Sequence, residues 1–282
     1  MGRIPFSQVL QNASVDIRRE YERLYELFAL HQFIFSGNRK STLREMCASN
    51  FINLPFRKTC ISLDDFDNTF GYRFIEKPTE FDLDQLVTFC EYSFNLAVYN
   101  QGFGLQGYYM GELSEPMMFY VHQVERVIES IGYMANSQNG ITDFVPKDAA
   151  AISVSEIIDP SMSYKVIEYN HHSMKGNLAQ KKATLLALAD KLEPQRKLLN
   201  KANPSLEKDI FYLFNTVNLR HNNTEQGSKN YKPFVSALDD KTLEKWYDES
   251  YQMCLLAFLE LDHLERKVQI AQLKEAIENK EQ

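Results

Sequence analysis

Residues 240–271 read DKTLEKWYDESYQMCLLAFLELDHLERKVQIA, and this stretch decides the fold. Leu243, Trp246, Ser250, Cys254, Ala257, Leu261, Leu264, Val268 and Ala271 recur three and four positions apart, close to a 3.5-residue repeat. No glycine or proline interrupts the chain from Asp240 onward, so the spacing predicts one long helix with an apolar seam. Such a seam requires a partner, either within its own bundle or in a second subunit, and a homodimer is among the expected partners. Tyr247 and Tyr251, four apart, belong either to that interface or to the core. The most apolar run, Met253 to Leu261, contains Glu260 and falls short of the roughly 20 residues a membrane span needs.

Upstream of this helix the pattern remains helical. Asn203 followed by Pro204 is a helix start signal, a cap and then proline in the first turn. The helix it opens carries Leu206, Ile210, Leu213, Phe214 and Val217 and is expected to reach Arg220. Asn177 caps another helix, with Leu178, Leu185, Leu188, Ala189 and Leu192 on one face until Pro194. Further helices are expected near 149–158 and 161–174. Together these predict an up-and-down helical bundle over residues 141–282.

The first 140 residues read as a separate, mainly helical domain without an assigned function. Amphipathic helices are expected over 15–33, 82–99 and 114–134, with a short one from Ser41 to Phe51. Thr59 to Leu63 and Tyr72 to Ile75 flank the acidic run Asp64-Asp65-Phe66-Asp67 and read either as a small β-hairpin insertion or as an ordered loop. Ala135 to Gly140 is polar and turn-forming and marks the domain boundary. The fold class expected is therefore mainly α.

Composition excludes several functional classes. Hydrophobic residues make up 44% and charged residues 24%, which fits a folded chain rather than a disordered one. Thirty-one Lys and Arg against 38 Asp and Glu give a net charge of −7, so the whole surface is not built to coat nucleic acid or anionic lipid. The acidity is uneven. Lys175, Lys181, Lys182, Lys191, Arg196, Lys197 and Lys201 face only Asp190 and Glu193, so the segment 175–201 is basic. That segment reads either as a phosphate-binding face or as a solvated helix surface. Cys47, Cys60, Cys90 and Cys254 include no C-x-x-C pair, which points to reduced thiols, a cytoplasmic location and no cysteine-built metal site.

Three small motifs carry less than their letters suggest. Gly102, Gly104 and Gly107 match G-x-G-x-x-G, but a helix precedes them where the dinucleotide fold needs a strand, so no dinucleotide or other cofactor is expected. Asp64, Asp65 and Asp67 lack the glycine and closing Glu of a calcium loop. His171 and His172 are adjacent, point about 100° apart on a helix, and make a poor metal clasp.

The densest polar cluster is Asn215, Asn218, Arg220, His221, Asn222 and Asn223. Asn215, Asn218 and Asn222 share one face if the helix continues through them, and asparagine is a costly choice within a helix. They read either as caps that tie down the following loop or as part of a site. In that site Arg220 would supply a fixed positive fork for phosphate, and His221 would titrate near neutrality. A bundle whose penultimate long helix ends in Arg and a polar residue, before a loop and a last long helix, resembles the HEPN superfamily. The resemblance covers residues 150–282 only. It implies RNA binding and metal-independent RNA cleavage of the bacterial toxin and defence type, with Arg220 and His221 catalytic. Lys181, Lys182, Asn218 and Asn222 would bind or orient the phosphate chain. The family's closing His would fall at 226–228, where this sequence has Gln226, Gly227 and Ser228. The alternative is a non-catalytic helical interaction or dimerisation protein on a degenerate HEPN-like bundle.

Overall fold

A computed structural model of the 282-residue chain describes residues 15–35, 39–74, 81–99 and 114–279. The described chain is mainly α-helical, with two small antiparallel hairpins, and it divides into two compact units after Phe144. The glycine motif at 102–107 lies outside the described residues.

In the first unit, α1 (Ile17–Tyr25) begins at Asp16, whose side chain accepts from the Arg19 amide at 3.0 Å. It widens into a π-type turn over Glu26–Leu30 and gives way to β1 (Phe33–Phe35), so the helix expected to reach residue 33 stops early. The aromatic and β-branched Phe33-Ile34-Phe35 instead pairs with β2 (Arg39–Ser41), Phe33 opposite Ser41. Thr42, one residue after the expected cap, opens α2 (Leu43–Ser49) with a full capping box to Glu45.

Within the expected hairpin, whose last residue Ile75 lies outside the described residues, the chain forms α3 (Leu63–Phe70). Ser62 accepts from the Asp65 amide, Asp64 and Asp65 sit in the positive first turn, and Gly71 at φ 74° closes the helix. The acidic run read as a turn is thus a helix N-terminus.

The central pair of the unit is α4 (Leu83–Tyr99) and α5 (Glu115–Ser130). Both helices face a core rich in aromatic rings that includes Tyr21, Phe28, Phe89 and Tyr120, each 1% exposed or less. At its centre the Tyr120 hydroxyl donates to Ser93 at 2.7 Å, so this fully buried phenol is satisfied. α5 was expected to run to residue 134 but ends four residues earlier. Gly132 at φ 78° turns the chain into β3 (Tyr133–Gln138), which pairs with β4 (Ile141–Pro146). Asn139 at φ 52° and Gly140 at φ 78° form the tight turn between them, a geometry that suits Asn-Gly.

The second unit contains α6 (Ala149–Ile157), α7 (Pro160–Glu168), α8 (Leu178–Leu192), α9 (Arg196–Ala202), α10 (Pro204–Thr216), the short α11 (Pro233–Ser236) and α12 (Asp240–Glu278). α12 packs against α6, α8, α9 and α10 and forms the spine of the bundle. Its buried face is Leu243, Tyr247, Ser250, Tyr251, Cys254, Leu255 and Ala257. Trp246, expected in the seam, is 39% exposed, and both tyrosines take the inner positions instead. Tyr251 stacks on Tyr169 with centroids 4.0 Å apart and donates to the Val166 carbonyl at 2.5 Å. From Glu265 to Asn279 every residue is exposed, so the final turns of α12 extend past the bundle core. Among the described residues no helix is long and apolar enough to cross a membrane.

Candidate functional site

The polar cluster after α10 is not helical. α10 ends at Thr216, Val217 turns out of the helix, and Asn218 takes a left-handed backbone at φ 60°. Asn218 and Asn222 therefore do not share a helix face with Asn215, as the 3-and-4 spacing suggested. Asparagine tolerates this conformation better than most side chains because its short amide bonds locally.

The loop closes on Asn223, which is 0% exposed. Its Oδ1 accepts from the Asn218 amide at 2.9 Å, and its own amide donates to Asn218 Oδ1 at 3.3 Å. Its Nδ2 donates to the carbonyls of Asn215 and Asn230 at 3.2 and 2.8 Å, and its carbonyl accepts from the Lys232 amide. One side chain thus ties the end of α10 to both ends of the following loop. Asn222 is exposed and forms a local turn, with Oδ1 accepting from the amides of Thr224 and Glu225 and Nδ2 donating to the Glu225 carboxylate. The side chains of Asn218, Asn222 and Asn223 thus act as loop ties, which is the structural reading of the asparagines.

Arg220 turns back onto the bundle. Its backbone amide donates to the Phe214 carbonyl at 2.9 Å. Its guanidinium forms an ion pair with Glu193, donates to the Ala189 carbonyl at 3.2 Å, and lies 5.4 and 5.2 Å from the ring centroids of Phe211 and Phe214. Both partners on α8 and its extension sit at a helix C-terminus, where the dipole also favours a cation. Arg196 lies over the same Phe211 ring at 4.2 Å and binds Glu207 at 2.5 Å, with Glu193 at 3.8 Å. Two arginines and two glutamates so form one charge-balanced cluster over two aromatic rings. Arg196 holds the Glu207 carboxyl below its ordinary value. A phosphate approaching Arg220 would have to displace Glu193 from a pair made in part on an aromatic face. His221 is exposed on the loop, and 226–228 supply no second imidazole.

The two lysines expected at the phosphate chain have different fates. Lys181 is 5% exposed, and its ammonium binds Glu244 at 2.8 Å and Asp248 at 2.6 Å and sits 5.4 Å from the Tyr169 ring centroid. Lys181 is therefore a bridge between α8 and α12 and does not present its charge to a ligand outside. The hydrogen bond from Lys181 holds the Glu244 carboxyl below its ordinary value. The Tyr169 hydroxyl donates to Asp248 at 3.0 Å, and burial together with that carboxylate pushes the phenol upward. Lys182, one position on, is only half-buried, and burial pulls its ammonium down. Elsewhere in the basic segment Lys191 pairs with Asp159 at 2.8 Å, while Lys197 and Lys201 are exposed. The net positive count over 175–201 thus overstates the positive surface, because its partners come from distant parts of the sequence.

His171 caps a single turn, His172–Met174, its Nδ1 accepting from the Ser173 amide at 3.2 Å. The ring is 8% exposed and lies 4.2 Å from that of His172. Sequence reasoning missed Asn223 as the hub, and Phe211, Glu193, Glu244 and Asp248 as partners. The one local signal was the spacing of Glu244 and Asp248, four apart and so on one face of α12.

No protein-family model, curated protein or solved structure matches this chain.

Proposed function

We propose that this chain is a non-catalytic helical interaction protein, its C-terminal unit a degenerate HEPN-like bundle. The observation that carries the reading is the state of Arg220. Cleavage of RNA without metal needs a cation available to the scissile phosphate and a base beside it. Arg220 is instead neutralised by Glu193 and packed on Phe211 and Phe214, and Lys181 is neutralised by Glu244 and Asp248. Paired arginine and lysine in these positions hold α8, α10 and α12 together. The free end of α12, exposed yet carrying Val268, Ile270, Leu273 and Ile277, supplies a surface suited to another helix.

A titration of single-stranded RNA against the full chain at physiological salt tests this reading. The expected result is no retained RNA for the wild type or for His221→Ala. Tight retention that His221→Ala abolishes would reject it in favour of an RNA-binding protein.

A further inference from the structure

α12 carries a second apolar stripe, on the side opposite its bundle seam. Leu256, Leu259, His263, Arg266, Ile270, Leu273 and Ile277 follow one another at alternating three and four residues, the a and d positions of three heptads. Leu259 packs in part against the bundle core, but Leu256, Ile270, Leu273 and Ile277 are 48%, 49%, 59% and 49% exposed, so among the described residues nothing covers these four. Isolated apolar side chains on a surface need no explanation, but three successive ones at heptad spacing, Ile270, Leu273 and Ile277, on an exposed helix do.

We propose that the occupant of this stripe is the same stripe of a second copy of this chain, in a parallel two-stranded coiled coil. The proposal rests on the interaction reading above and names the partner. Two features of the stripe select it. Ile270 and Ile277 fall at a and Leu273 at d, and β-branched residues at a with Leu at d favour parallel pairs. The flanking charges agree. In a parallel pair Asp262 at g faces Lys267 at e of the second copy, an attractive contact. In the antiparallel register centred on Ile270, which would pair the exposed apolar turns, Lys267 would meet Lys274 of the second copy, both at e, and like charges would repel. The two middle layers are polar, His263 at a and Arg266 at d, with Arg266 held by Asp262 of its own helix at 2.5 Å. Polar residues at such layers fix register and strand number at a cost in stability, so this pairing is expected to be reversible and concentration-dependent.

Sedimentation of the full chain over a concentration series reads the proposal directly. The expected result is a monomer–dimer equilibrium that Leu273→Asp shifts fully to monomer. At a concentration low enough that wild type is itself monomeric, helicity and thermal unfolding should not fall in this variant, because Leu273 is 59% exposed in the single chain. Ile270→Cys should form a disulfide-linked dimer under mild oxidation. The native cysteines are all buried, and an a position in a parallel pair places identical residues face to face. Compensation gives a third readout: Lys267→Asp should weaken the dimer, and Asp262→Lys with Lys267→Asp should restore it. A chain that stays monomeric at its highest soluble concentration would overturn the proposal, as would a dimer indifferent to Leu273→Asp. A monomer that retains no RNA removes the second copy but leaves the interaction reading in place. RNA retention lost in His221→Ala removes the reading itself, whatever the sedimentation shows.

Discussion

Asn223→Ala is expected to destabilise the C-terminal unit by about 3 kcal/mol, since each buried polar group left without a partner costs about 1–3 kcal/mol. The substitution strips partners from the Asn218 amide and from the Asn215 and Asn230 carbonyls, at a site with no exposure. Water entering the gap would recover part of the loss, which keeps the figure below the sum of three full penalties. Asn223→Asp should be no better. It keeps the acceptor for Asn218 but turns a carboxylate toward two carbonyl oxygens. Urea unfolding monitored by helicity gives the answer as a lowered midpoint for both variants. By contrast Asn222→Ala, on the exposed turn, should change the midpoint little.

Lys181→Ala should cost about 2–3 kcal/mol, somewhat under the roughly 3–5 kcal/mol of breaking a fully buried pair. The discount follows from solvent reaching the acidic partners: the Asp248 side chain is 48% exposed and that of Glu244 20%, so the charges left behind are partly hydrated. Lys182→Ala is the matched control, the same chemistry one position away, and should lie within about 0.5 kcal/mol of wild type. The pair also carries a pH dependence of definite sign. Glu244 binds its proton less readily in the folded chain than its ordinary value of 4.5, so it contributes stability above that value. This contribution is lost as pH falls through the lowered folded value, and Glu207 behaves alike through Arg196. The acid side of the stability profile should therefore be shallower in Lys181→Ala than in wild type.

These two lysines also show what a sequence conveys and what it withholds. Local chemistry was legible: Asn203-Pro204 opens α10, Asn177 caps α8, and the uninterrupted 240–278 stretch is one helix. Where two local readings compete, tertiary packing decided. Asp64-Asp65 after Ser62 suits a turn or a helix start, and the helix prevailed because Leu63 and Phe66 face the core. Asn139-Gly140, inside the stretch expected as a boundary, is also a hairpin signal between β-capable residues, and it turns β3 into β4. Pairing across the chain was not legible at all. Arg220 stands out in the sequence, but Glu193 lies 27 positions upstream, and no periodicity links them. Lys181 and Lys182 are indistinguishable by type, and only the path of α12 makes one a buried bridge.

The same logic separates a functional cation from a structural one. An arginine held by a carboxylate and two aromatic faces contributes to the packing of α8 on α10, and its charge is already used.

The central claim, that Arg220 stabilises the bundle and performs no chemistry, is tested most directly by incubating single-stranded RNA with the full chain in the presence of a metal chelator. Wild type and Arg220→Ala should be compared at matched folded fractions. The account predicts no cleavage by either protein. Cleavage by the wild type that Arg220→Ala abolishes would contradict it.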